Sequence, residues 1–112
     1  MFAVLSRVFG PRRHAVPQPT RDQVAAVDVS AMLTLARARG DRRSDDEIAA
    51  GLIVGADLTA ERHPDADLRG RAAAASVATR DWLVGRVGEH EAARLLSTSL
   101  GPVGEDGTTA RS

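Results

Sequence analysis

Apolar residues recur at helical spacing in four stretches of this 112-residue chain. Together with the residues that bound them, these stretches predict helices at about 21–39, 44–63, 66–87 and 89–99. No stretch of useful length alternates apolar and polar residues with a period of two, which is the pattern of a half-buried strand. The sequence therefore predicts an all-α fold: a small orthogonal or up-down bundle of four helices with a short N-terminal amphipathic segment.

Capping residues support the predicted helix starts. Thr20 is followed three residues later by Gln23, and Ser44 is followed by Glu47, so each pair can form the reciprocal capping box that starts a helix. Such boxes satisfy backbone N–H groups that have no partner within the first turn.

The third helix and two helix ends have their own signals. We expect the third helix to start at Asp65 or Asp67, because aspartate accepts hydrogen bonds from first-turn N–H groups. Gly40 and Gly88 stand where a glycine commonly ends a helix.

The first helix carries a wide apolar face, which is typical of a well-buried helix. The side chains expected to face the core are Val24, Val27, Ala31, Leu35 and Ala38, widened by Val29, Met32 and Ala36. In the second helix, Gly51 and Gly55 stand four residues apart, a small-residue spacing that permits helices to cross closely.

Alanine supplies almost half of the apolar residues, which make up 43% of the chain. Small side chains let helices approach closely but each buries little area, so we expect modest stability. All fifteen basic residues are arginine, which together with the alanine content indicates GC-rich coding, as in an actinobacterium or a phage. The chain has no cysteine, which excludes disulfides and thiolate chemistry and fits a cytoplasmic location.

Proline and glycine residues divide the chain into three parts. Residues 1–19 are predicted to form an amphipathic segment and a proline-rich linker. Residues 20–100 are predicted to form the four-helix domain, and residues 101–112 are predicted to form a disordered tail.

The N-terminal segment is one candidate binding site. Phe2, Leu5 and Phe9 lie at helical spacing, and Arg12 follows them in the linker. Such a segment can insert into the groove of a protein partner, cover the domain's own core or lie at an anionic membrane surface. We assign these four residues to partner binding and leave the docking place of residues 1–10 open.

The net charge of the chain is zero, but the charges are unevenly distributed. Residues 1–43 carry eight arginines against three acids, and residues 44–69 carry seven acids against two arginines. This asymmetry predicts separate basic and acidic faces or internal pairing, and internal pairing is the favoured interpretation. The candidate site for an acidic partner or for nucleic acid is a cluster of four arginines: Arg37, Arg39, Arg42 and Arg43.

His63-Pro64-Asp65 lies between the second and third predicted helices and resembles the tripeptide signature of J-domain co-chaperones. The opening of the second helix, Ser44 to Ile48, is similar to the start of that family's basic helix. The resemblance implies stimulation of a heat-shock chaperone's ATP hydrolysis. This helix departs from the family in its acidic charge and in its greater length. The favoured interpretation is helix punctuation, because proline commonly follows a helix end and aspartate caps the next.

The sequence shows no familiar catalytic or metal-binding constellation. No serine lies in a GxSxG elbow, no glycine-rich phosphate loop is present, and the histidines and acids lack common metal-site spacings. No apolar run approaches the ~20 residues of a membrane-spanning helix. We therefore predict no enzymatic activity, no cofactor or metal, and no transmembrane segment.

These observations predict a non-enzymatic interaction or assembly protein, an adaptor or accessory that binds a protein partner or forms a homo-oligomer. Two alternatives stay open. One is a nucleic-acid-binding accessory protein that uses the Arg37–Arg43 cluster, and the other is a J-domain-like co-chaperone. Peripheral membrane contact through residues 1–10 is compatible with the same sequence.

Overall fold

The computed structural model describes the backbone of residues 15–109 and the side chains of residues 15–99. The regular elements in this part of the chain are all α-helices, and it contains no strand. The predicted all-α fold class is therefore confirmed. The five helices pack against one another. They are α1 (Arg21–Ala25), α2 (Val29–Ala38), α3 (Asp45–Arg62), α4 (Ala66–Val87) and α5 (Glu89–Thr109).

Both predicted capping boxes are confirmed. The Thr20 N–H donates to Gln23 Oε1 at 2.8 Å, and the Gln23 N–H donates to Thr20 Oγ1 at 3.1 Å. Ser44 and Glu47 make the same reciprocal pair at the start of α3, with distances of 3.1 and 3.2 Å. The first turns of α1 and α3 are therefore fixed by side chains next to them in sequence.

The predicted cap and end of the third helix, now α4, are also confirmed. Asp65 caps α4 by accepting a hydrogen bond from the Asp67 N–H at 2.8 Å. Gly88 ends this helix with a φ of 90°, and Gly40 follows α2 with a φ of 100°. Both angles lie in the left-handed region, which glycine adopts without steric cost.

The first predicted helix, 21–39, is two helices rather than one. The chain turns at Val27 and Asp28, and Asp28 caps α2 by accepting a hydrogen bond from the Ala31 N–H at 3.0 Å. Valine and aspartate are both weak helix formers, and aspartate competes for nearby backbone N–H groups. This local cap overrides the continuous apolar pattern.

The break changes which face of α2 points inward. Val29 and Leu33 are buried, whereas Ala31, Leu35 and Ala38, all predicted to face the core, are exposed. The predicted inward face is therefore wrong for these three residues. Its phase assumed one uninterrupted helix from residue 21, and α2 begins anew after Asp28.

The core lies mainly between α3 and α4 and is rich in small side chains. Three of its larger side chains, those of Ile48, Ile53 and Leu83, are each at most 1% exposed. Alanine lets the helices approach closely, as the composition predicts. Six of the twelve buried apolar residues in the described part are alanines: Ala49, Ala50, Ala60, Ala73, Ala74 and Ala92.

Gly51 and Gly55 do not mark the helix crossing that their spacing suggested. A Cβ placed on Gly51 would lie 3.4 Å from the Arg43 guanidinium, and one placed on Gly55 would meet nothing within 4 Å. Neither glycine lies against the backbone of another described helix, so close packing comes from the alanines instead.

Charged side chains tie α3 to α4. Arg86 Nε donates to Asp46 Oδ1 at 2.5 Å, and Arg80 Nη2 donates to Asp57 Oδ2 at 2.5 Å. The pairing of early α3 with late α4 shows that the two helices run antiparallel. These two acids are thus paired with arginines outside the basic segment 1–43. Among the described ion pairs, Arg37 with Asp45 is the one that joins the basic and acidic segments, as the charge distribution suggested.

The last helix continues to Thr109, past the end expected at about residue 99. It enters the segment 101–112, which the sequence assigns to a disordered tail. Residues 101–109 include three glycines and one proline, the poorest helix formers, which is why the sequence predicts no helix there.

Candidate functional site

The four arginines of the predicted cluster lie at the turn between α2 and α3. Arg37 is in the last turn of α2 and Arg39 is its C-cap, while Arg42 and Arg43 lie in the connection to α3. Backbone hydrogen bonds close the turn, since the Gly40 N–H donates to the Arg37 carbonyl at 3.0 Å. The structure therefore brings the four residues to one corner of the molecule.

Two of the four guanidinium groups are occupied by neighbouring carboxylates. Arg37 donates to Asp45 Oδ1 through both Nε and Nη2, with Nε at 3.0 Å. Arg43 binds Asp41 with two parallel bonds, from Nε at 3.0 Å and from Nη2 at 2.8 Å. Such a planar, two-bond pair is the strongest arrangement that arginine makes with a carboxylate.

The pairing with Arg43 alters the titration of Asp41. Side-chain hydrogen bonds from the Arg43 guanidinium, helped by a bond from its backbone N–H, lower the pKa of Asp41 from 3.8 to about 2. The side-chain hydrogen bonds to Asp41 also raise the pKa of Arg43. Asp41 therefore stays ionised, and paired with Arg43, to a lower pH than an ordinary aspartate does.

The other two arginines remain available. The side chains of Arg39 and Arg42 are exposed, and neither makes a hydrogen bond or ion pair with another residue in the described part of the chain. The sequence treats the four arginines as one group, and the structure divides them into a paired half and an available half.

An exposed apolar side chain lies one helical turn before Arg39. Leu35 is 51% exposed and precedes Arg39 by four residues, so the two lie on one side of α2. Ala31 and Ala38 on this helix are also exposed. We call these residues, together with Arg39 and Arg42, the α2 surface. The sequence pattern predicts a buried Leu35, which is wrong. The signal that could have corrected it is Asp28, a favourable N-cap residue within the predicted helix.

The electrostatic character of this corner is mixed rather than basic. Residues 37–47 contain four arginines and four acids, so the segment has no net charge. The acidic side chains are Asp41, Asp45, Asp46 and Glu47. A surface of this kind can pair with a few charged groups of a partner. It lacks the uniformly positive potential that attracts a polyanion.

His63-Pro64-Asp65 is held by hydrogen bonds within its own turn. His63 Nδ1 accepts from the Asp65 N–H at 3.0 Å, and the Asp65 carboxylate caps α4. Arg69 Nη1 donates to the His63 carbonyl at 2.8 Å and so closes the end of α3. These bonds support the interpretation of the tripeptide as helix punctuation.

A second polar cluster joins α3 and α4. The buried Ser76 hydroxyl donates to Asp57, which also binds Arg80. Neither of the described histidines, His63 and His90, takes part in it. Within the described residues, no group of three or more His, Cys, Asp or Glu side chains is placed to hold a metal ion. The hydrogen bonds of Asp57 with Ser76 and Arg80 link α3 to α4.

The remaining site predictions concern residues that the structure leaves undescribed. Phe2, Leu5, Phe9 and Arg12, assigned from the sequence to partner binding, lie outside the described residues. Among the described helices, none combines the length and apolar character needed to cross a membrane.

Comparison of the chain with protein-family models, with curated proteins and with solved structures found no match in any of the three.

Proposed function

We propose that this chain is a non-enzymatic interaction protein whose α2 surface binds an acidic, amphipathic segment of a protein partner. The observation that carries the proposal is an exposed Leu35 one helical turn before the available Arg39, at the end of α2 that leads to the available Arg42. Apolar area and available cations together match a segment that presents an apolar side chain flanked by carboxylates.

The mixed charge of the corner favours a protein partner over nucleic acid. A nucleic acid presents phosphates continuously, and a corner whose four arginines are balanced by four acids offers them no net positive charge. A protein segment can place its carboxylates opposite Arg39 and Arg42 only. The same pattern of charges then disfavours other partners.

The contacts set the expected strength. Each exposed arginine–carboxylate pair contributes about 0.2–1 kcal/mol. Covering the half-exposed Leu35 contributes about 1 kcal/mol. Binding through this surface alone is therefore weak and dependent on salt, as suits a reversible adaptor.

A synthetic helical peptide with glutamates flanking a leucine tests the proposal. Its binding to the full chain, followed by fluorescence anisotropy of a labelled peptide, should weaken when Arg39 and Arg42 are both changed to glutamine. The matched control changes Arg21 and Arg62 to glutamine, since these arginines are exposed elsewhere and the change in net charge is the same. Control binding should equal that of the parent chain.

Two results would overturn the proposal. An equal loss of peptide binding in both double variants would show that binding depends only on the net charge of the chain. Tighter binding of a DNA duplex than of the peptide, lost in Arg39→Gln/Arg42→Gln, would favour the nucleic-acid alternative instead.

A further inference from the structure

An apolar groove lies between α3, α4 and α5, and none of the four arginines of the predicted cluster lines it. Its volume is about 210 Å³. Ile53, Leu83 and Ala92 are buried, while Val84 and Leu96 are half-buried. The groove can take an apolar side chain without losing any hydrogen bond, because its lining is mainly hydrocarbon.

We propose that the groove holds the apolar N-terminal segment of this same chain, residues 2–9. That segment carries Phe2, Leu5 and Phe9 at helical spacing. Aromatic side chains bury the most area for each residue and so gain the most from such a groove. The proposal concerns residues different from those of the α2 surface, and the two can fail separately.

The place where the chain enters the described structure supports this occupant. Val16 and Pro19 line a cavity together with Asp57 and Ser76, so the chain already lies across α3 and α4 there. From Ser76 to Leu83 in the groove the distance along α4 is ~10 Å. The six residues 10–15 can span up to ~20 Å when extended, which is enough to connect the two places.

Charge and tethering also favour the chain's own segment over a separate partner. Glu89 lines the groove with its side chain exposed, and it makes no ion pair with another described residue. Arg7 gives the segment a positive charge, which is complementary to that of Glu89. A short tether keeps the segment at a local concentration of about millimolar, which exceeds that of most free partners.

Disulfide trapping tests the proposal cleanly, because the chain has no cysteine of its own. Ser6→Cys puts a thiol beside the apolar face of the segment, and Ala93→Cys puts one at the exposed edge of the groove. On mild oxidation at low protein concentration, this pair should close within one chain. The product is a monomer that moves faster on a non-reducing gel.

The matched control pairs Ser6→Cys with Ala38→Cys, an exposed alanine on α2. We expect the Ala93 pair to close about tenfold faster than the Ala38 pair, because docking raises the local thiol concentration. Adding Phe2→Ser and Phe9→Ser should remove this preference. Serine at these positions removes the apolar anchor and leaves both thiols in place.

Three results would overturn the proposal. Equal rates for the two pairs would show a tether that samples the surface without docking. Disulfide-linked dimers from the Ala93 pair would make a second copy the occupant. A preference that survives Phe2→Ser and Phe9→Ser would show that the apolar side chains do not direct the segment to the groove.

Discussion

The α3–α4 pair and the α2 surface use the same residue types in opposite ways. Between α3 and α4, arginines reach across to acids on the other helix, as Arg86 does to Asp46. At the corner after α2, Arg43 pairs with Asp41 only two residues away. Arg37 likewise pairs with Asp45 across the short connection to α3. Pairs between residues distant in sequence hold α3 and α4 together, whereas the local pairs at the corner fix the turn and leave Arg39 and Arg42 available.

The apolar residues show the same contrast. Alanines and two isoleucines close the α3–α4 interface almost completely, with Ile53 at 0% exposure. On α2, Leu35 is 51% exposed although its spacing suggests a core position. The comparison indicates that one region supplies stability and the other supplies contact surface.

Truncation of a core side chain should give the largest effect. Ile53→Ala leaves a cavity between α3 and α4 and should lower the free energy of unfolding by about 2–5 kcal/mol. Leu35→Ala, the matched change on the α2 surface, should change it by less than about 0.5 kcal/mol. Urea denaturation of both variants measures the difference. Comparable losses would show that Leu35 belongs to the core and would break the comparison.

Removing one charged side chain from each region should give a smaller difference. Asp57→Ala leaves the buried Ser76 hydroxyl and the Arg80 guanidinium without their shared acceptor, which should cost about 1–2 kcal/mol. Arg37→Ala breaks an exposed pair and should cost less than about 1 kcal/mol. Thermal unfolding of the two variants tests this order, and a larger loss for Arg37→Ala would contradict it.

Helix glycines should respond according to the space around them. Gly55→Ala should stabilise the fold by about 0.5–1 kcal/mol, because alanine is the better helix former and nothing lies within 4 Å of the new methyl group. Gly51→Ala should gain less, since its methyl group would lie 3.4 Å from the Arg43 guanidinium. Chemical denaturation decides the order. A loss of stability in Gly55→Ala would contradict this expectation, because it would require a contact at Gly55 that the described residues do not make.

The smallest effect concerns the titration of Asp41. Its pKa is lowered from 3.8 to about 2, so the stabilisation from its pairing is complete above the unfolded value of 3.8 and is lost as the pH falls through about 2. Carboxyl chemical shifts recorded against pH should show this low midpoint. In Arg43→Gln the pKa should move back towards 3.8, and an unchanged midpoint would remove Arg43 as the cause.

Local signals in the sequence were sufficient for much of the fold. Both capping boxes, the Asp65 cap and the glycine ends at Gly40 and Gly88 depend on residues only a few positions apart, so their patterns are readable without tertiary contacts. Asp28 shows the limit of this reasoning. Its cap competes with a continuous apolar pattern, and the outcome sets which face of α2 is buried.

The candidate site was less predictable because it depends on which arginines find partners. The cluster is visible in the sequence, yet nothing there distinguishes Arg43, paired with Asp41, from its neighbour Arg42. That distinction comes from the geometry of the turn around Gly40. The exposure of Leu35 depends on the break at Asp28, and so could not be predicted from periodicity alone.

Chemical-shift mapping with the glutamate- and leucine-bearing peptide tests the central claim most directly. As the peptide is titrated into the labelled full chain, backbone amide shifts should move at residues 31–42 and stay constant along α3 and α4, where acids and arginines already pair with each other. Saturable shifts confined to residues 31–42 are the predicted result. Shifts centred on α3 and α4, or none in α2, would contradict the account.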